Sequence, residues 1–173
     1  MQRIMMALFW SIALLTTGCN SKTDEIIRPS NFAFVFDFSS CGPDLIYTFD
    51  TNKGVITYNP IDSTKLSVIQ MQLTNGQLDL IFQKITNIDF FSYPELYTVP
   101  DEQIRGYQAP SATYKLTVTN GSQTHSVTWT DEIFTEPPYV NLDNLKELSD
   151  LILEPIWANP DYLKLIESLP MCL

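Results

Sequence analysis

Positive charge is what this 173-residue chain has least of. Ten Lys plus Arg stand against twenty Asp plus Glu, for a formal charge of −10, and no two basic residues are adjacent. Phosphate backbones demand clustered Lys and Arg, so nucleic acid is excluded as a partner, and docking on anionic lipid by charge with it. Histidine is almost missing: His125 is the single copy. Zinc sites want three or four His, Cys or carboxylate ligands at close spacing, and one histidine with the distant Cys41 and Cys172 supplies none, so no metal or other cofactor is expected. Glycine is scarce, and no Gly-x-Ser-x-Gly elbow surrounds any serine. A long apolar run is lacking as well. The stretch Ile4 to Leu15 is about a dozen residues, whereas a helix needs about twenty to cross a bilayer.

That stretch has the length of a secretion-signal core, and Arg3 is the only charge before it. It ends in Thr16, Thr17, Gly18 and Cys19, followed by polar Asn20, Ser21 and Lys22. A small residue directly before a cysteine at this point resembles the lipobox of bacterial lipoproteins, with Thr16 standing where that family usually carries Leu. The resemblance covers the first nineteen residues. It implies that the Cys19 thiol is joined to a diacylglyceryl group, that the chain is cut after Gly18, and that the new amine is often acylated. Residues 1–18 are then a signal peptide and residues 19–30 a lipidated tether. Each buried methylene adds about 0.8 kcal/mol, so two or three acyl chains anchor a protein durably. The resemblance thus implies a cell-envelope protein whose membrane contact is its lipid. The outer membrane is favoured, because Asn20 is not the Asp that tends to retain such proteins at the inner membrane in enteric bacteria. The string Lys22, Thr23, Asp24, Glu25 is similar to export signals of surface lipoproteins in Bacteroidetes-type bacteria; a solvated tether running to Pro29 explains it too.

Without the signal about 155 residues remain, enough for one domain with a genuine core over residues 31–173. Its formal charge of about −11 keeps a tethered domain soluble. An exported domain meets conditions that permit disulfides, which makes Cys41 and Cys172 a candidate pair. In the chain-entropy model, closing that loop of about 130 residues contributes up to about 5 kcal/mol.

Phenylalanine at every second position from Phe32 to Phe38 predicts a half-buried strand. A hairpin follows, Leu45 to Thr51 and Val55 to Asn59 around Asn52, Lys53 and Gly54, placing Leu45, Tyr47 and Phe49 on the face of Ile56 and Tyr58. Lys65 to Leu73 reads as a fourth strand. Thr74 and Gln77 have capping-box spacing, and Leu78, Ile81, Phe82, Ile85 and Ile88 recur at helical intervals. A second hairpin runs from Ala112 to Thr130, turning at Asn120 and Gly121, with Leu116 expected opposite His125 and Tyr114 opposite Val127. Thr113, Lys115, Thr117, Thr119, Ser126, Thr128 and Thr130 make its solvated face. Asn141 is expected to cap a helix carrying Leu142, Leu145, Leu148, Ile152 and Ile156, which Pro155 should kink or end. Asn159 and Pro160 open a last short helix. The sum is an α+β domain, an antiparallel sheet of about six strands with two or three helices on one face.

Between the halves, Asp89 to Ala112 is irregular, and long loops in compact domains are often functional. Phe91, Tyr93, Tyr97 and Tyr107 are therefore the candidate ligand surface, since such rings stack on glycan or peptide; rings folded under the loop as a satellite core are the competing expectation. A hydrolase would have to use His125, with Ser122 and Asp131 as a writable triad or Cys41 as nucleophile, but a strand histidine beside Val127 and Trp129 more often sits at a core edge. Asp50, Asn52 and Gly54 resemble the start of a calcium loop, which the hairpin turn explains better. Asp101 with Glu102, and Asp131 with Glu132, read as solvated loop charge rather than a glycosidase pair. No catalytic residue stands out. The functional expectation is a module binding a protein, peptide or cell-wall ligand. An envelope hydrolase and an acidic inhibitor or immunity protein against an incoming basic enzyme are the alternatives.

Overall fold

The computed structural model describes residues 27–39, 45–60, 66–107 and 111–168. Cys19, Cys41 and Cys172 lie outside them, as does residue 65. The first sheet has six antiparallel strands, β1 (Ala33–Ser39), β2 (Leu45–Asp50), β3 (Val55–Pro60), β4 (Ser67–Gln70), β6 (Thr113–Asn120) and β7 (Gln123–Thr130), in the order β4-β3-β2-β1-β6-β7. A second sheet pairs β5 (Ile104–Tyr107) with β8 (Ile133–Thr135), and the helices are α1 (Asn75–Asn87), α2 (Val140–Trp157) and α3 (Pro160–Glu167). The α+β class read from the sequence is the fold observed. The small second sheet is additional to it.

Alternation decides which face of the large sheet is dry. Phe34, Phe36 and Phe38 of β1 are buried, and so are Phe49 opposite Ile56 and Tyr47 opposite Tyr58 in the first hairpin. Burying such a side chain contributes about 1.5–3 kcal/mol. The helices cover this face. Ile81, Phe82 and Ile85 of α1 and Leu145, Leu148 and Ile152 of α2 join the same core, and Lys84 ties α1 to Asn144 and Glu147 of α2. The Thr74 capping box is present, with the Gln77 N–H donating to Thr74 Oγ1 and the Thr74 N–H to Gln77 Oε1. The opposite face of β6 and β7 is half-open and hydroxyl-rich, with Thr117 and Ser126 bonded across the strands at 2.7 Å.

Four local features differ from the sequence reading. The second hairpin pairs Asn120 with Gln123, so Gly121 and Ser122 form the turn; Leu116 faces Val127, and Val118 faces His125. Gly121 takes φ +64° and Ser122 keeps a negative φ, the pattern of a type II′ turn, whose first central position suits glycine. The slip leaves every side chain on its expected face. Strand β4 is shorter than Lys65 to Leu73. Helix α2 starts one residue before Asn141, with Tyr139 at its N-cap. The Tyr139 N–H is held by Thr135 Oγ1 and its carbonyl accepts from the Asp143 N–H, so the β8 connection fixes the start. Pro155 lies inside the last turn of α2, which continues to Trp157.

The two edges of the large sheet are treated differently. Along β7, the Thr128 N–H donates to the Glu95 carbonyl at 2.8 Å and the Tyr97 N–H to the Thr128 carbonyl at 2.9 Å, so the loop is pinned to this edge by one parallel bridge between Leu96 and Thr128. Among the described residues, no strand pairs with the outer side of β4.

Candidate functional site

The loop chosen from the sequence lies against β7, and most of its rings go inward. Phe90 is fully buried, Tyr93 is 7% and Tyr97 8% exposed, and Phe91 is half-buried. Tyr107, in β5, is 68% exposed. His125 organises this cluster. Its Nε2 lies 2.8 Å from the Tyr93 carbonyl, which can only accept, so Nε2 carries the proton; its ring packs against Phe90 and Phe91, with centroids 5.8 and 6.0 Å away. Burial pushes the hydroxyls of Tyr93 and Tyr97 above the ordinary tyrosine value; the Asn144 side chain pulls Tyr93 back in part, and Tyr139 and Tyr93 push Tyr97 further up.

The writable triad is not assembled. Asp131 follows the end of β7, six residues from His125, which is about 20 Å along an extended strand. Asp131 is engaged locally, its Oδ1 accepting from the Ala112 N–H at 2.6 Å and its Oδ2 from the Tyr114 hydroxyl at 3.3 Å. Asp50 serves the hairpin turn, accepting from the N–H groups of Asn52 and Lys53 and pairing with Lys53 Nζ at 2.7 Å, while Gly54 takes φ +64°. Burial alone would raise the Asp50 pKa, but the hydrogen bonds and charge of Lys53 hold it below 3.8. Glu102 and Asp101 are exposed, and Glu132 is too. Among the described residues, no three His, Cys, Asp or Glu side chains converge as a metal site, and no helix is long and apolar enough to cross a membrane.

A concave site appears instead where β1 and β7 end and β6 begins. It is a half-open hollow of about 210 Å³ lined by Phe38, Tyr114, Asp131, Leu153, Trp157 and Tyr162. The elements explain the assembly. Phe38 and Tyr114 are direct cross-strand partners, Asp131 follows the last residue of β7, Trp157 ends α2 past Pro155, and Asn159 caps α3 so that Tyr162 turns back onto Phe38 at 6.4 Å between centroids. The Tyr114 hydroxyl is kept protonated by burial first, then by the carboxylates of Asp131 and Asp150; burial and Tyr47 do the same for Tyr162. A shallow groove along α2, lined by Glu147, Asp150, Glu154 and Leu151, adjoins the site and shares Trp157 with it. Of these residues only Asp131 entered the sequence reading as a possible site. The one available signal was that Phe38 and Tyr114 fall on the inner face of neighbouring strands, but β1–β6 pairing joins segments about 75 residues apart, which periodicity does not reveal. No protein-family model matches this chain, and no curated protein is similar to it.

Proposed function

We propose that this is a lipid-anchored envelope protein whose domain binds a ligand at the end of its sheet farthest from the membrane. The observation that carries the reading is the opposition of the two ends. The chain comes into the fold beside the β6–β7 turn, where Asn31 Nδ2 donates to the Gly121 carbonyl at 3.0 Å, and Arg28 is held by Asp79 at 2.7 Å and Asn75 at 3.1 Å. The cavity lies at the other end of β1, about 20 Å away for a seven-residue strand. Eight residues lie between Cys19 and Arg28, at most about 30 Å of extended chain. A lipid on Cys19 therefore keeps the Arg28 end within about 30 Å of the bilayer and leaves the cavity end free to face away from it.

The pairing of Cys41 with Cys172 fits the same picture. Phe38, three residues before Cys41, meets Tyr162 of α3, ten residues before Cys172. Ser39 and Ser168, the nearest described residues, leave two and four residues of reach. Such a bridge would close the cavity end of the domain in an oxidising compartment.

Mass spectrometry of protein extracted from membranes tests the anchor. The N-terminal peptide is expected to begin at Cys19 and carry acyl chains, and Cys19→Ala should move the protein to the soluble fraction. An uncut or unacylated N-terminus, or a Cys19→Ala variant still on the membrane, overturns the reading.

A further inference from the structure

We propose that the outer face of the large sheet binds a zwitterionic α-amino acid, its carboxylate on Lys115 and its ammonium on Asp37. This face is the one turned away from the helices, so the inference needs neither the lipid anchor nor the cavity beside Trp157. Strand register puts Thr48, Asp37, Lys115 and Thr128 in one row across β2, β1, β6 and β7, with Ile46, Ser39 and Thr113 in the next. Asp37, Ser39, Ile46, Thr113, Lys115 and Thr128 line a half-open hollow of about 370 Å³, within the roughly 300–1,000 Å³ of small-molecule sites. Asp37 and Lys115 are direct cross-strand neighbours of opposite charge, an arrangement that ordinarily closes as an ion pair. Here it stays open. Thr48 Oγ1 donates to Asp37 Oδ1 at 2.6 Å and holds the carboxylate on its β2 side, and among the described residues Lys115 has no hydrogen-bond or ion-pair partner. Asp37 Oδ2 is left to accept from an ammonium. The Thr113 and Thr128 hydroxyls, also without partners among the described residues, flank Lys115 and can donate to a carboxylate beside it. Charge settles the class. A plain anion would meet Asp37 and the field of a chain with a formal charge of −10, and a plain cation would meet Lys115. A ligand bearing both charges on one carbon satisfies both residues and brings no net charge. Ile46, 44% exposed, supplies the adjoining wall and favours an apolar side chain there.

The test uses the full chain in non-ionic detergent, with L- and D-leucine titrated by calorimetry against 3-methylbutylamine, which lacks the carboxylate, and 4-methylpentanoate, which lacks the ammonium. At least one leucine enantiomer is expected to bind about tenfold or more tightly than either single-charge analogue. Asp37→Asn should remove about tenfold or more of that affinity, since it takes away a charge-assisted hydrogen bond. Lys115→Gln should remove as much, and because this side chain is exposed the variant keeps its fold and leaves the test decisive if Asp37→Asn misfolds. Equal affinity for either analogue, binding unchanged in Lys115→Gln, or no binding of either enantiomer overturns the inference. A chain acylated at Cys19 that ignores leucine sinks this inference alone, and an unacylated chain that binds leucine sinks only the anchor.

Discussion

Two groups of aromatic rings in this domain each gather round one polar side chain, with opposite results. Around His125, Phe90 and Tyr93 are buried and Phe91 half-buried, and the histidine spends its N–H on the backbone of the segment that covers it. Beside Asp131, Phe38 and Tyr162 are buried against each other, Trp157 is half exposed, and a space of about 210 Å³ remains between these rings and Tyr114. What separates them is the backbone. Residues 95–97 find the free edge of β7 and bond to it, which draws the whole loop down and turns its rings inward. The rings at the strand ends come from four separate elements, each held by its own pairing or cap, and although Tyr162 meets Phe38 the set does not close over Trp157. An aromatic-rich loop is thus a poor guide to an exposed surface when an unpaired strand lies within its reach.

The sharpest way to break this contrast is to remove one ring from each group. Phe90→Ala should cost about 3–5 kcal/mol in urea denaturation, as for a fully buried aromatic. A cost under about 1 kcal/mol would mean the loop cluster is not core. His125→Ala should cost about 1–3 kcal/mol, since it orphans the Tyr93 carbonyl and empties the space between two rings, and should speed proteolytic cutting between residues 89 and 107. Unchanged cutting would show that the β7 edge alone holds the loop.

Tyr114→Phe, in the open group, should cost about 1 kcal/mol at neutral pH by removing the hydrogen bond to Asp131. Its signature is at high pH. Tyr97, Tyr114 and Tyr162 are held above their ordinary value in the fold, mainly by burial, so above about pH 10 the unfolded chain sheds protons that the folded chain keeps. Stability is intact below that value and falls as pH rises past it, and the fall should be shallower in Tyr114→Phe. Urea midpoints measured between pH 8 and pH 11 compare the slopes. At the small end, Trp157→Ala and Tyr107→Ala should each stay within about 0.5 kcal/mol of the parent, because both side chains are more than half exposed. A larger loss at Trp157 would mean that the cavity wall is part of the core.

Much of the scaffold was legible because it is written locally. The phenylalanines of β1, the Thr74 capping box and the Asn159–Pro160 start of α3 each depend on residues within a turn or a strand of one another. The type II′ register was missed because Asn120-Gly121 and Gly121-Ser122 are both acceptable turn centres, and cross-strand packing chooses between them. The β5–β8 sheet was missed because Ile104–Tyr107 and Ile133–Thr135 are four and three residues long, too short for a period to show. The cavity was invisible for a related reason. Its walls come from β1, β6, α2 and α3, and their meeting is a property of the sheet order, in which β1 sits centrally between β2 and β6.

The lopsided treatment of the sheet margins has a consequence for how copies of this domain meet. Among the described residues of the large sheet, no strand lies outside β4, whereas residues 95–97 bond to β7 at Thr128, so β4 is the margin more open to strand addition. Two molecules meeting there through a twofold axis would each cover the other's β4 margin, so that contact closes on itself as a pair.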